Sequence, residues 1–312
     1  MGYRIRGAGW RRRKNERGLV LSSEGHVTRK TIKTTAYPEH VWEAWTEGDK
    51  LAAWLADKAT GWPAPVSKIS LTWDRFNVTL DYNITDIKTC DRLVWKTRLG
   101  NGFQTLTVNI RREGPMTVLE LREADPAFSQ KSDDSGSESA WQMSLAVFKL
   151  YVERYFGQSR STFFAVSKAS FTIPALMGAY ATAKGLEQWL AESVEVWPDV
   201  HPTDPNKRFD PTAFAEALTG KPYRMRLEGG MIISGHIMTV TKQEVALSWD
   251  EINGFIELKC FSMGPGNQAV CLRGSGYGLS EEQAKQLEDL LKPRLYQLAD
   301  SLSAGTPVPS PD

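Results

Sequence analysis

The stretch TTAYPEHVWEAWTEGDKLAAWL, residues 34–55, sets three tryptophans among 22 positions and places a proline where a helix would begin. Pro38 has a fixed φ and no backbone donor, so it suits the first turn of a helix. Glu39 in that turn complements the positive end of the helix dipole. Val41, Trp42 and Trp45, and then Leu51, Trp54 and Leu55, recur at three- and four-residue spacings on either side of Gly48. That spacing predicts two short amphipathic helices. Their aromatic stripe needs a large apolar surface to cover it.

The flanking sequence supplies one. HVTRKTIKTTA (26–36) reads as a half-buried strand, rich in β-branched residues. After the helices, apolar and polar residues alternate through a series of segments. Ile69, Leu71 and Trp73 share one face; so do Val78, Leu80, Tyr82 and Ile84; so do Leu93 and Trp95; so do Leu106, Val108 and Ile110; and MTVLELRE closes the series. Strict alternation predicts an antiparallel sheet with one buried face. A polar loop (126–139) leads to a helix predicted over about 140–156, with Trp141, Leu145, Phe148 and Val152 on one stripe and Ser139 as its cap.

The pattern then repeats. A strand is expected over 161–173. Pro174, Tyr180 and Leu186-x-x-Trp189-Leu190 follow, in the places of Pro38, Trp45 and Leu51-x-x-Trp54-Leu55, with one residue deleted. Strands are predicted near 223–228, 232–242, 244–250, 255–262 and 268–274. Ser280 caps a long final helix containing Pro293. An internal repeat of this size implies one supersecondary unit used twice. The expected domains are 26–157 and 161–303, the second with an insertion over about 198–221. Residues 1–25 are expected to form a basic disordered arm, and 304–312 a frayed tail.

Composition fits a soluble globular protein: 312 residues, 41% hydrophobic and 24% charged. No run is long and apolar enough to span a membrane, and no signal peptide is evident at the N-terminus. Three cysteines and no leader point to the cytoplasm. Cys260 and Cys271 are placed to meet across a hairpin, though two small buried hydrophobes is the plainer expectation. Net charge is +1, but residues 1–30 carry nine Arg/Lys against Glu16 and Glu24, a local +7 that leaves −6 elsewhere. Without aromatic or periodic support, Arg11-Arg12-Arg13-Lys14 reads as a solvated tail, and no nucleic-acid partner is expected.

The segment YPEHVWEAWTEGDKLAAWL resembles the opening of START-like, pollen-allergen-like domains, the SRPBCC superfamily. It is most similar to the branch named for the activator of the ninety-kilodalton heat-shock chaperone ATPase. Pro38, Val41-Trp42, Thr46 and Leu51-x-x-Trp54 stand at that branch's motif positions, as do RLVWKTR (92–98), Trp141, Leu145 and KLYVE (149–153). The resemblance is fuller over 26–157 than over 161–303. It implies an α+β architecture of two tandem helix-grip domains. In each, a curved antiparallel sheet would wrap a long C-terminal helix and leave a cavity between them.

In such a fold, Trp42, Trp45 and Trp54 read as core. The inward phase of the strands and of the final helix makes Trp73, Tyr82, Trp95 and Trp141 candidates to line a cavity in the first half. His236, Met238 and Trp249 are the candidates in the second. A lone histidine on an apolar face is more often a structural residue. The four histidines are scattered, no HExxH, CxxC or Gly-x-Ser-x-Gly pattern occurs, and GPG (264–266) and GSGYG (274–278) read as turns, not phosphate loops. No metal, cofactor or catalytic residue is therefore assigned. The leading expectation is a non-enzymatic binder of a hydrophobic small molecule or a protein partner. A cyclase or hydratase using Tyr82 or His236 as acid–base, and a module contacting a heat-shock chaperone, are the alternatives.

Overall fold

The computed structural model describes residues 26–99, 102–125, 135–198, 211–262 and 268–305. The expected arm (1–25), most of the expected tail, and residues 199–210 of the 198–221 insertion lie outside the described residues. Its chain order is β1 (His26–Thr34), α1 (Pro38–Thr46), α2 (Gly48–Trp54), β2 (Lys58–Gly61), β3 (Lys68–Trp73), β4 (Val78–Lys88), β5 (Arg92–Leu99), β6 (Gly102–Glu113), β7 (Met116–Asp125) and α3 (Ser135–Leu150). The second set is β8 (Arg160–Ala169), α4 (Ile173–Ala181), α5 (Ala183–Glu187), β9 (Ser193–Val196), α6 (Pro211–Leu218), β10 (Pro222–Arg226), β11 (Ile232–Val240), β12 (Val245–Trp249), β13 (Gly254–Ser262), β14 (Gln268–Tyr277) and α7 (Glu281–Ser303).

Two seven-stranded antiparallel sheets result, ordered β1-β7-β6-β5-β4-β3-β2 and β8-β14-β13-β12-β11-β10-β9. The second is the first advanced by seven strands, so the topology repeats element for element apart from α6. Each sheet grips its terminal helix. Leu145, Phe148 and Val152 join the first core, and Leu287, Leu291, Leu295 and Leu298 join the second. The protein is thus an α+β fold of two tandem helix-grip units. Ser280 forms a full capping box with Gln283 at the start of α7.

The repeated tryptophans perform one repeated task. Trp45 and Trp54 are fully buried, their rings 4.8 Å apart. The Trp54 indole N–H donates to the Ala44 carbonyl at 2.8 Å, and the Trp189 N–H donates to that of Ala179 at 3.1 Å. The first bond ties α2 to α1, and the second ties the turn after α5 to α4.

Several details differ from the sequence reading. β2 and β9 are four-residue edge strands, too short to show alternation. α3 begins at Ser135, so Ser139 lies inside the helix and does not cap it. The helix ends in a π turn, Tyr151–Tyr155. Cys260 pairs in register with Val270, and Cys271 with Lys259, so the two cysteines occupy opposite faces of the sheet.

The first unit docks on the outer face of the second sheet. Phe255 and Tyr277 belong to the first core, Tyr277 stacks on Tyr155 at 4.6 Å, and Phe76 packs edge-on to Phe164 and Phe261. This burial explains charges on that face. Burial raises the pKa of Glu257, but Lys259, Arg273 and Arg160 outweigh it and hold the carboxylate below its usual range. Arg160 donates to the carbonyls of Ala52, Trp54 and Ala56 at 2.9–3.3 Å, and the Tyr277 hydroxyl donates to that of Ala53 at 3.0 Å. Burial, and then the like charge of Arg273, pull the Arg160 pKa down to about 10, so it remains charged at neutral pH.

Arg160→Ala strips three carbonyls of their donor and is expected to cost about 2–4 kcal/mol in urea unfolding. Tyr277→Phe, which removes one neutral bond, should cost about 1 kcal/mol. Equal and negligible losses for both would show that the contact does not hold the units together.

Candidate functional site

Between α3 and the concave face of the first sheet lies a cavity of about 310 Å³. Its apolar wall includes Leu55, Leu71, Leu80, Leu99 and Leu106, with Trp73, Tyr82, Trp95 and Trp141 as its aromatic members. The strands deliver these side chains by their period of two. α3 delivers Trp141 and Ser144 one turn apart.

The cavity also has a polar edge. The Tyr82 hydroxyl donates to Gln104 Oε1 at 3.4 Å, and Gln104 Nε2 donates to Glu123 Oε1 at 2.8 Å. The Ser137 hydroxyl donates to the other carboxylate oxygen, and Thr28 Oγ1 lies 3.3 Å from Ser137 Oγ. Tyr82, Gln104, Glu123 and Ser137 all line the cavity. Burial, and then the negative charge of Glu123, push the Tyr82 pKa well above its ordinary value. The phenol is therefore a hydrogen-bond donor at neutral pH and is not available as a base. Trp95 lines the same space, and its buried indole N–H has no partner among the described residues. A buried donor left unpaired costs free energy that an acceptor on a ligand would recover.

The four first-half candidates, Trp73, Tyr82, Trp95 and Trp141, thus stand around one space. The second-half candidates do not come together. Trp249 is fully buried against Phe163, with rings 6.1 Å apart. His236 is exposed and Met238 half-buried; both line a separate groove of about 320 Å³, against Ala146 and Lys149 of α3 and Glu153 of the π turn. The inward phase expected for His236 and Met238 fails because Ile233 and Ile237 point inward, and a bulge between Ile237 and Thr239 resets the alternation before Val240. Within the second grip the concave face is packed with Ile233, Leu247, Ile256, Leu258, Val270 and Leu272, all buried. Phe163 lies flat on Gly274, where a Cβ would come within 2.0 Å of the ring.

Gln104, Glu123 and Ser137 were not singled out from sequence. The signal was present in the strand phase. Gln104 continues the inward series of Leu106, Val108 and Ile110, and Glu123 continues that of Leu119 and Leu121. A polar residue at the inward phase of a strand end is the mark of a wet cavity edge. Among the described residues, no group of three or more His, Cys, Asp or Glu is placed to hold a metal ion. No helix among them is long and apolar enough to cross a membrane.

Residues 35–153 match the model of a family described as activator of Hsp90 ATPase homolog 1-like protein. No curated protein matches the sequence. Among solved structures, the Aha1 dimer from Colwellia psychrerythraea aligns at 17% identity and TM-score 0.38, over 42% of this chain and 99% of that one. CalU16 from Micromonospora echinospora aligns at 15% identity and TM-score 0.34, over 41% of this chain and 85% of that one. DynU16, described as a putative protein in the dynemicin biosynthetic locus, aligns at 12% identity and TM-score 0.36, over 89% of this chain and 96% of that one. The matched residues, 35–153, span α1, α2, the cavity strands and α3.

The raised Tyr82 pKa carries a pH consequence. The fold favours the neutral phenol, so this contribution is intact below pH 10.0, the ordinary value, and is lost as pH rises above it. Tyr82→Phe should therefore lose less stability than the wild-type protein between about pH 10 and pH 12. Denaturant midpoints across that range check it, with parallel curves as the contrary result.

Proposed function

We propose that this protein is a cytoplasmic, non-enzymatic binding protein whose first domain, 26–157, takes up a small, mainly apolar molecule in the grip cavity. The second domain, 161–303, serves as a packed scaffold beneath it. The observation that carries this reading is a space of about 310 Å³ walled by aromatic and leucine side chains and edged by a few polar groups. Ligand pockets are typically apolar spaces of this order with few orienting polar groups. A catalytic reading has less support. Burial and the negative charge of Glu123 hold the Tyr82 phenol protonated, so it is not available as a base.

Intrinsic fluorescence titration with naphthol tests the proposal, because Trp73, Trp95 and Trp141 all border the space. Saturable quenching is expected. Ser144→Phe, which projects a ring into the cavity, should weaken binding at least tenfold while shifting the melting temperature by only a few degrees. Non-saturable quenching, or unchanged binding in a folded Ser144→Phe protein, would remove the reading.

The family match over 35–153 supports a second reading, contact of the first domain with a heat-shock chaperone. A purified ninety-kilodalton chaperone should then hydrolyse ATP faster in the presence of this protein. An unchanged rate at saturating protein counts against it.

A further inference from the structure

We infer that the first-domain cavity selects a ligand bearing a cationic amine on an aromatic or otherwise apolar body. Glu123 receives the charge and the surrounding rings receive the ammonium face. This rests on the binding reading above and narrows it to a chemical class.

Two independent features converge on that class. The first is charge. Glu123 is buried at 8% exposure, yet it lines the cavity, and among the described residues no lysine or arginine lines it with Glu123. Its two described hydrogen bonds come from neutral donors, Gln104 Nε2 on one oxygen and the Ser137 hydroxyl on the other. A carboxylate offers about four lone-pair sites, so each oxygen retains acceptor capacity. Lys30, on the same face of β1 as Thr28, is paired with Glu138 at 2.8 Å. A carboxylate removed from water and met only by neutral donors is matched most strongly by a cation.

The second feature is the wall. Trp73, Tyr82, Trp95 and Trp141 surround the same space as Glu123, and the Tyr82 and Trp95 rings are 5.5 Å apart at 45°. The faces of such rings are electron-rich and attract ammonium groups, most strongly where water is excluded. Aromatic walls alone would accept any flat apolar molecule. Aromatic walls with an interior carboxylate, and no lining cation among the described residues, discriminate: they favour an amine, tolerate an alcohol and reject a carboxylic acid.

Three ligands of one shape separate these outcomes: naphthylmethylamine, naphthylmethanol and naphthoic acid, titrated by calorimetry into the full chain at neutral pH. The amine should bind about tenfold more tightly than the alcohol, as expected when a neutral hydrogen bond becomes charge-assisted. The acid should bind most weakly. Glu123→Gln should bring the amine-to-alcohol ratio toward one. If the alcohol binds as tightly as the amine, the charge inference fails while the cavity reading stands. If none of the three binds, both fail. If the preference survives in a folded Glu123→Gln protein, Glu123 is not the discriminating group. The wild-type series decides the preference even if Glu123→Gln does not fold.

Discussion

Five consecutive carbonyls at the end of one seven-residue helix are the junction on which this molecule is built. The last carbonyls of a helix have no partners within it. Here Ala52, Trp54 and Ala56 accept from Arg160, Ala53 accepts from Tyr277, and Leu55 accepts from the indole of Trp73. Two of these donors come from the second unit and one from the cavity wall. Arg160 is the first residue of β8, so the chain uses its passage between units to close the end of α2. A guanidinium suits this task because it presents several donors in a fixed plane and adds positive charge at the negative end of the helix dipole.

This junction makes the two copies unequal. Docking on the outer face of the second sheet buries Phe255, Glu257 and Tyr277, side chains that a free sheet would show to water. The second unit is then apolar within and occupied without. Phe163 against Gly274 and the leucine stripe of α7 fill its grip. The first unit has no such load on its sheet. Its grip keeps Trp73, Leu80 and Trp141 half-buried around open space, and Gln104 and Glu123 mark the edge of that space. One copy carries the packing and the other carries the cavity.

The sequence made the architecture legible because duplication and alternation are global signals. Pro38 with Trp54 and Pro174 with Trp189 mark the same turn twice, and the strand phases of Ile69 through Ile110 point one way. The cavity was half legible. Trp73, Tyr82, Trp95 and Trp141 were reachable from their phase, whereas Gln104 and Glu123 look like surface residues until their phase is followed to the strand end. The second half misled for a local reason: a bulge after Ile237 breaks the period of two, so counting inward from Val240 reverses His236 and Met238. The interface could not be read, because Arg160 and the α2 carbonyls lie about a hundred residues apart and carry no local pattern.

Methyl-labelled NMR during titration with an apolar amine tests most directly whether one grip is hollow and the other filled. Leu71, Leu80, Leu99 and Leu106 line the first space, while Leu247, Leu258, Leu272 and Leu291 pack the second core. The account predicts saturable shifts in the first set and none in the second. Shifts centred on the second set would contradict it.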